Sequence, residues 1–205
     1  MRRIIICLVV LATMIGAGSV HAQFRYGPVA GVDFTDLNFK QNLITVDEST
    51  GFSAGIMGEM MFPGIGFGLD IGLMYVQRGA TLHLGEKRVW AYDGYGTERS
   101  YLHYVDIPLN LRFKYTRLNG IEDYVAPFVF GGPSLSFLVA HSSIHALEYA
   151  RGEFGLSVGG GLEIMRNWQV SASYTWGMSY ALKTRLLDDF SAKNRTLNIR
   201  LAYLF

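Results

Sequence analysis

Eleven ionisable residues stand at alternate positions within otherwise apolar stretches. The acids are Asp33, Glu59, Asp70, Asp106, Glu153 and Glu163, and the bases are Arg25, Arg78, Arg112, Lys114 and Arg200. Paired carboxylates in such a setting, Glu59 with Asp70 or with Glu163, have the chemistry of a general acid/base couple. The mixture of both signs favours structural pairing instead, because a buried charge is tolerable only when paired and hydrogen-bonded. Threading the strands described below carries Arg25, Glu59, Asp70, Arg112, Glu163 and Arg200 to one end of the molecule, where one buried ion-pair network is expected. His141 and His145 are four apart, and His83 and His103 flank another connection. A metal centre needs ligands converging from a rigid frame, which two loop histidines do not supply. The glycine runs at Gly64-Ile65-Gly66-Phe67-Gly68 and Gly159-Gly160-Gly161 lead into no helix and no Lys-Ser/Thr pair, so a phosphate loop fails. No Ser/His/Asp arrangement has local support. The expectation is therefore no catalytic, metal or cofactor-binding residue, and no cofactor.

The elements that position these groups are strands. Period-two alternation recurs in eight segments, clearest where Val105, Ile107, Leu109, Leu111, Phe113 and Tyr115 oppose Asp106, Pro108, Asn110, Arg112 and Lys114. Successive side chains of a strand point to opposite faces, so this is the pattern of half-buried strands. The fifth segment, near 124–139, is interrupted by Gly131-Gly132-Pro133, which reads as a bulge or kink. Connections near 35–50, 80–100, 140–152 and 181–193 read as long, and those near 63–65, 116–123 and 166–167 as shorter. An even strand number then puts both termini on the short-turn side, as in outer-membrane barrels.

Alternation alone does not say which face meets water. The polar face is rich in Gly and Ser, and strand lysine is confined to Lys114. Aromatics such as Phe24, Tyr26, Phe67, Phe113, Trp176 and Tyr203 gather near strand ends on the apolar face, as interfacial girdles require. The chain closes on Leu201-x-Tyr203-x-Phe205, which resembles the C-terminal signal that hands barrels to the insertion machinery. An all-β, eight-stranded antiparallel up-and-down transmembrane β-barrel follows. Its alternative is a secreted soluble β-protein, a lipocalin-like binder with the apolar face inward. Eight strands leave an interior that side chains fill, which argues against a general porin.

Arg2 and Arg3, the apolar run from Ile4 to Ile15 and the small residues up to Val20-His21-Ala22 have the make-up of a secretory signal peptide. Residues 1–22 are expected to be cleaved, and residues 23–205 to form one barrel domain. Cys7 would leave with the signal, so disulfides and thiolate chemistry are excluded from the exported chain. Loss of Arg2 and Arg3 takes Lys+Arg from 18 to 16 against 17 Asp+Glu, a formal charge of −1. That balance carries no nucleic-acid footprint.

Trp90, Tyr92, Tyr95 and Tyr101, interleaved with glycines, admit two readings: an upper aromatic girdle with a mobile loop, or a surface contacting a protein or glycan. The stretches Tyr104-Val105-Asp106-Ile107-Pro108-Leu109-Asn110-Leu111-Arg112, Ala126 to Ser136, Phe154 to Glu163 and Arg195 to Phe205 resemble the small PorT-like outer-membrane β-barrels of Bacteroidota. The resemblance implies an outer-membrane location and a non-catalytic barrel, and its namesake is needed for type IX secretion. Expected partners are outer-membrane lipid and lipopolysaccharide, the insertion machinery and an envelope protein, with the chain itself a monomer. Two roles compete: a structural or interaction barrel, and a surface adhesin or ligand binder acting through the 80–100 loop.

Overall fold

A computed structural model describes residues 23–39, 46–62, 64, 66–83, 97–115, 121, 124–141, 147–180, 182–184 and 191–205. The expected signal peptide lies outside the described residues. Ten strands follow in chain order: β1 (Gln23–Phe39), β2 (Val46–Met61), β3 (Phe67–His83), β4 (Thr97–Lys114), β5 (Val125–His141), β6 (Leu147–Tyr149), β7 (Gly152–Ile164), β8 (Trp168–Gly177), β9 (Leu182–Thr184) and β10 (Ser191–Tyr203). Eight of them, β1 to β5, β7, β8 and β10, form an antiparallel meander. It closes where β1 pairs with β10 from Val29↔Ala202 to Phe39↔Ala192. The three-residue strands β6 and β9 pair with each other, and β9 pairs with β10, prolonging the wall at one end.

The two faces separate cleanly. Phe24, Tyr26, Ile56, Ile71, Leu111 and Val129 are exposed on the outside, while Asp33, Glu59, Asp70, Asp106 and Arg112 are buried inside. This inverts a soluble protein and, among the described residues, leaves the lumen as the interior. Along β3 the inward face reads Asp70, Gly72, Met74, Val76 and Arg78. An apolar layer of Val29, Met57, Met74, Val76 and Ala202 thus separates a lower polar layer from an upper one. Aromatic rings line the outer wall beside the termini. Phe24 stacks on Tyr26 at 6.2 Å, Tyr203 meets Trp168 at 4.9 Å and Phe205 at 5.1 Å, and Phe67 meets Phe113 at 5.0 Å.

Three sequence expectations need correction. The connections expected at 35–50, 80–100, 140–152 and 181–193 are partly strand, since β1 reaches Phe39, β2 begins at Val46, and β3 and β4 reach His83 and Thr97. At 16–18 residues, β1 to β5 exceed the ~10 that cross a bilayer. Beyond the hydrocarbon both strand faces meet polar surroundings, so apolar alternation fades while the hydrogen-bonded ladder continues. Length asymmetry is correspondingly weaker than expected: the connection 115–124, beside the termini, is longer than that at 40–45.

No extra residue interrupts Gly131-Gly132-Pro133. Pairing with β7 runs unbroken from Val125↔Ile164 to Phe137↔Gly152. Pairing with β4 keeps one register on either side, Leu111↔Gly131 and Pro108↔Ser134. The ladder pauses there because Pro108 and Pro133 have no N–H to give. The register shift lies instead beside His103 and Tyr104, with another in the β2–β3 pair between Glu48 and Ser53.

The turn joining β7 and β8 holds two side-chain-bearing residues in the left-handed region, Met165 at φ 51° and Arg166 at φ 63°. Left-handed backbone costs an L-residue roughly 1–2 kcal/mol, and Asn tolerates it better than Met. Met165 is exposed, so its side chain has little packing to lose. Met165→Asn is expected to raise the urea midpoint by about 1 kcal/mol of stability and Met165→Val to lower it. A fall with Asn would show that the strain is relieved by contacts at the turn.

Candidate functional site: the charged lumen

The lower layer is built around Glu59 of β2, whose side chain is fully buried. Oε1 accepts from Arg25 Nη2 and from Lys114 Nζ, each at 2.6 Å, and Oε2 accepts from Arg112 Nη1 at 2.8 Å and Gln169 Nε2 at 2.6 Å. Register explains the cluster. Glu59 stands directly between Arg25 of β1 and Asp70 of β3, all with inward side chains. Arg112 Nε donates to Asp70 Oδ2 at 2.7 Å, and Lys114 Nζ reaches Glu163 Oε2 at 2.6 Å. Glu163 Oε2 also accepts from Arg25 Nη2 at 2.5 Å and from Gln169 Nε2 at 2.8 Å. Arg25 further donates to the carbonyl of Arg166, tying the network to the β7–β8 turn.

Three acids (Glu59, Asp70, Glu163) meet three bases (Arg25, Arg112, Lys114), so the layer is neutral. The Arg112 guanidinium also lies over the Phe128 ring at 4.0 Å. Phe128 and Phe130 fit because Gly161 and Gly159 stand opposite. A Cβ on either glycine would come within 2.6 Å and 2.7 Å of those rings. The adjoining space is lined by residues including Asp70, Asn110, Arg112, Gln169 and Arg200.

Five of the six expected network residues come together here, and Arg200 does not. It pairs with Gly31 and Ser171, one inward rung above Ala202, and it is Ala202 that pairs with Gln169 at network level. Counting residues from the chain end ignores the stagger that barrel closure imposes on successive strands. Lys114 and Gln169 belong to the network and were not assigned to it from sequence. Lys114 could have been found, since it shares the inward face of β4 with Arg112, whereas an uncharged Gln on a polar face carries no such signal.

The upper layer is a looser cluster. Arg78 approaches Asp106 and Glu153 at 3.5 Å each and Ser136 Oγ at 3.3 Å, and lies 5.2 Å from the centre of the Tyr104 ring. Ser136 donates to Asp106, and Asn194 Nδ2 donates to Glu153 Oε2 at 2.7 Å. Asp33 lies buried in the same layer.

Of the loop aromatics, Trp90, Tyr92 and Tyr95 lie outside the described residues. Tyr101 is not in a loop but in β4, paired with Gly79. His103 is likewise a strand residue, its Nδ1 2.7 Å from the Tyr75 hydroxyl, and His141 ends β5. His145 lies outside the described residues. Among the described residues no three His, Cys, Asp or Glu side chains are grouped to hold a metal ion. At the C-terminus Leu201 and Phe205 face outward. The Phe205 N–H donates to the Tyr26 carbonyl at 2.9 Å, so the last residues complete the seam with β1.

The barrel resembles solved outer-membrane barrels. OprG of Pseudomonas aeruginosa superposes with a TM-score of 0.54 at 12% identity, over 90% of this chain and 97% of that one. Ail, the attachment invasion locus protein of Yersinia pestis, gives 0.48 at 17% identity, over 89% and 99%. The outer membrane enzyme PagL gives 0.44 at 10% identity, over 84% and 97%. No curated protein shows significant sequence similarity to the chain. The family model described as outer membrane protein beta-barrel domain matches residues 18–182, most of the chain. With that match and a closed barrel of eight spanning strands, the chain belongs to the outer membrane protein β-barrel domain family.

Proposed function

We propose that this protein is a non-catalytic barrel of the PorT-like kind, exported by a cleaved signal peptide and serving the cell envelope as a structural and docking element. Its working surface is the loop end, and we link it to type IX protein secretion through its likeness to the PorT-like barrels. Leu201, Tyr203 and Phe205 serve as its signal to the insertion machinery. The observation that carries the reading is the lower network. Its acids are bound to bases in a neutral layer, which fits a plug and a scaffold better than an acid/base couple with a substrate route.

The plug has a charge test. Removing one partner of a buried ion pair costs about 3–5 kcal/mol, because the other charge is left uncompensated. Glu59→Gln and Lys114→Met should each lower stability by about 3 kcal/mol in urea titrations of the refolded barrel. The double variant, again neutral, should lose clearly less than the sum. Additive losses would mean that the two residues act independently and that the layer is not one network. Wild-type protein in planar bilayers should stay electrically silent, and steady conductance would sink the plug.

The cellular role is tested by deleting the gene and measuring type IX cargo in the medium together with surface binding. A fall in cargo supports the docking role, and no change in either measurement would overturn it. One observation favours a second reading as an adhesin: β3 and β4, the strands that 84–96 joins, are longer than a bilayer requires. Replacing 85–95 by a short Gly/Ser link should then abolish surface binding while leaving cargo release intact.

A further inference from the structure

The two polar layers of the lumen differ in how well their groups are satisfied. Among the described residues, the lower network leaves one buried side-chain atom unpartnered, Asp70 Oδ1. The upper layer leaves many, and they concentrate around Asp33. Both carboxylate oxygens of this side chain are without a hydrogen-bond partner although it is fully buried. Its direct cross-strand neighbour is Asn198 of β10, whose side chain shares the inward face. The Asn198 amide nitrogen is held by Thr175 Oγ1 at 3.1 Å and by the Ser173 and Thr196 carbonyls at 3.4 Å, and Oδ1 remains unpartnered. Ser53, also buried, shares the inward face diagonal to Asp33, and its Oγ is likewise unpartnered.

Charge points the same way. The acids of the upper layer are Asp33, Asp106 and Glu153, and its bases are Arg78 and Arg200, so three negative charges face two positive ones. Arg78 is engaged by Asp106 and Glu153. Arg200 is the remaining base, diagonal to Asp33 because Gly31 pairs with Arg200 and Asp33 with Asn198, and each is the other's strongest charge neighbour. Its Nε has no partner. A buried carboxylate with two free oxygens is costly to leave so, and the nearby free atoms of Asn198 and Ser53 are oxygens.

We propose that Asp33, Asn198 and Ser53 bind a monovalent alkali cation, Na⁺ or K⁺, in the upper lumen. Hard cations take oxygen ligands of the carboxylate, amide and hydroxyl type. With Arg200 set against Asp33 and Arg78 shared by Asp106 and Glu153, the layer as a whole keeps one excess negative charge, which a single monovalent ion balances. A divalent ion would call for further carboxylates, and Asp106 and Glu153 are held by Arg78. The ion completes the charge balance of the upper layer as Lys114 completes that of the lower.

The test is the thermal midpoint of the folded barrel, read by loss of its gel-mobility shift. It is measured in NaCl, in KCl and in N-methyl-D-glucamine chloride at equal ionic strength. Binding to the folded state alone raises the midpoint in a saturating manner, here by about 4 °C in at least one alkali salt. Asp33→Asn keeps the shape and removes the charge, and should make the midpoint independent of the cation. Equal midpoints for the wild type in all three salts would overturn the site, with Arg200 then serving Asp33 directly. So would an alkali effect that persists in Asp33→Asn. Should that variant fail to fold, ²³Na relaxation on the wild type decides. Broadening reversed by added K⁺ supports the site, and an unbroadened line refutes it.

Discussion

A backbone in hydrocarbon has no water to bond with, so every N–H and C=O must find a partner within the protein. The pairing of β1 with β10 answers that requirement. Without it the meander would present two open edges to lipid, and with it each spanning strand has two neighbours. The last residues contribute directly, since the Leu204 N–H donates to the Asn167 carbonyl and the Phe205 N–H to that of Tyr26. Closure then dictates the rest. The outer face must be apolar with aromatic ends, and whatever polarity the sequence carries is driven inward.

Inside, the governing cost is desolvated charge. The lower layer meets it with short contacts: Glu59 alone accepts from three cations and an amide, and the acids and bases balance. Phe128 and Phe130 fill the remaining width, made to fit by two glycines on the facing strand. Above an apolar layer of Val29, Met74 and Val76, the ion pairs lengthen to 3.5 Å and unpartnered atoms collect. The lumen therefore has a firm base towards the termini and a looser polar chamber towards the longer strand extensions. In the proposed function the base holds the wall closed while the extensions present the connections to partners.

Much of this was legible in the sequence because a spanning strand records its environment at every second residue. Both faces of β4 could be read off Val105 to Tyr115, and the inward position of all eleven lumen charges followed from alternation. What escaped depends on relations between strands. Arg200 was placed too low, since the stagger of barrel closure appears in no single segment. Gln169 escaped because a neutral polar residue on a polar face has no distinctive pattern. The strand extensions at 36–39 and 46–50 escaped because alternation stops where lipid stops while pairing does not. Gly131-Gly132-Pro133 looked like a break, yet the missing N–H groups interrupt only a few ladder bonds and leave the register intact.

The account rests on the assignment of β4's odd-numbered residues to lipid and its even-numbered residues to a closed lumen. Its most direct test is a set of single spin labels at residues 107 to 113 in the refolded barrel in bilayers, with access measured to oxygen and to a water-soluble nickel chelate. The account predicts high oxygen access at 107, 109, 111 and 113, with little access to either reagent at 108, 110 and 112. High chelate access at the even positions would mean an open aqueous lumen. Chelate access at the odd positions would mean that the apolar face does not meet lipid at all.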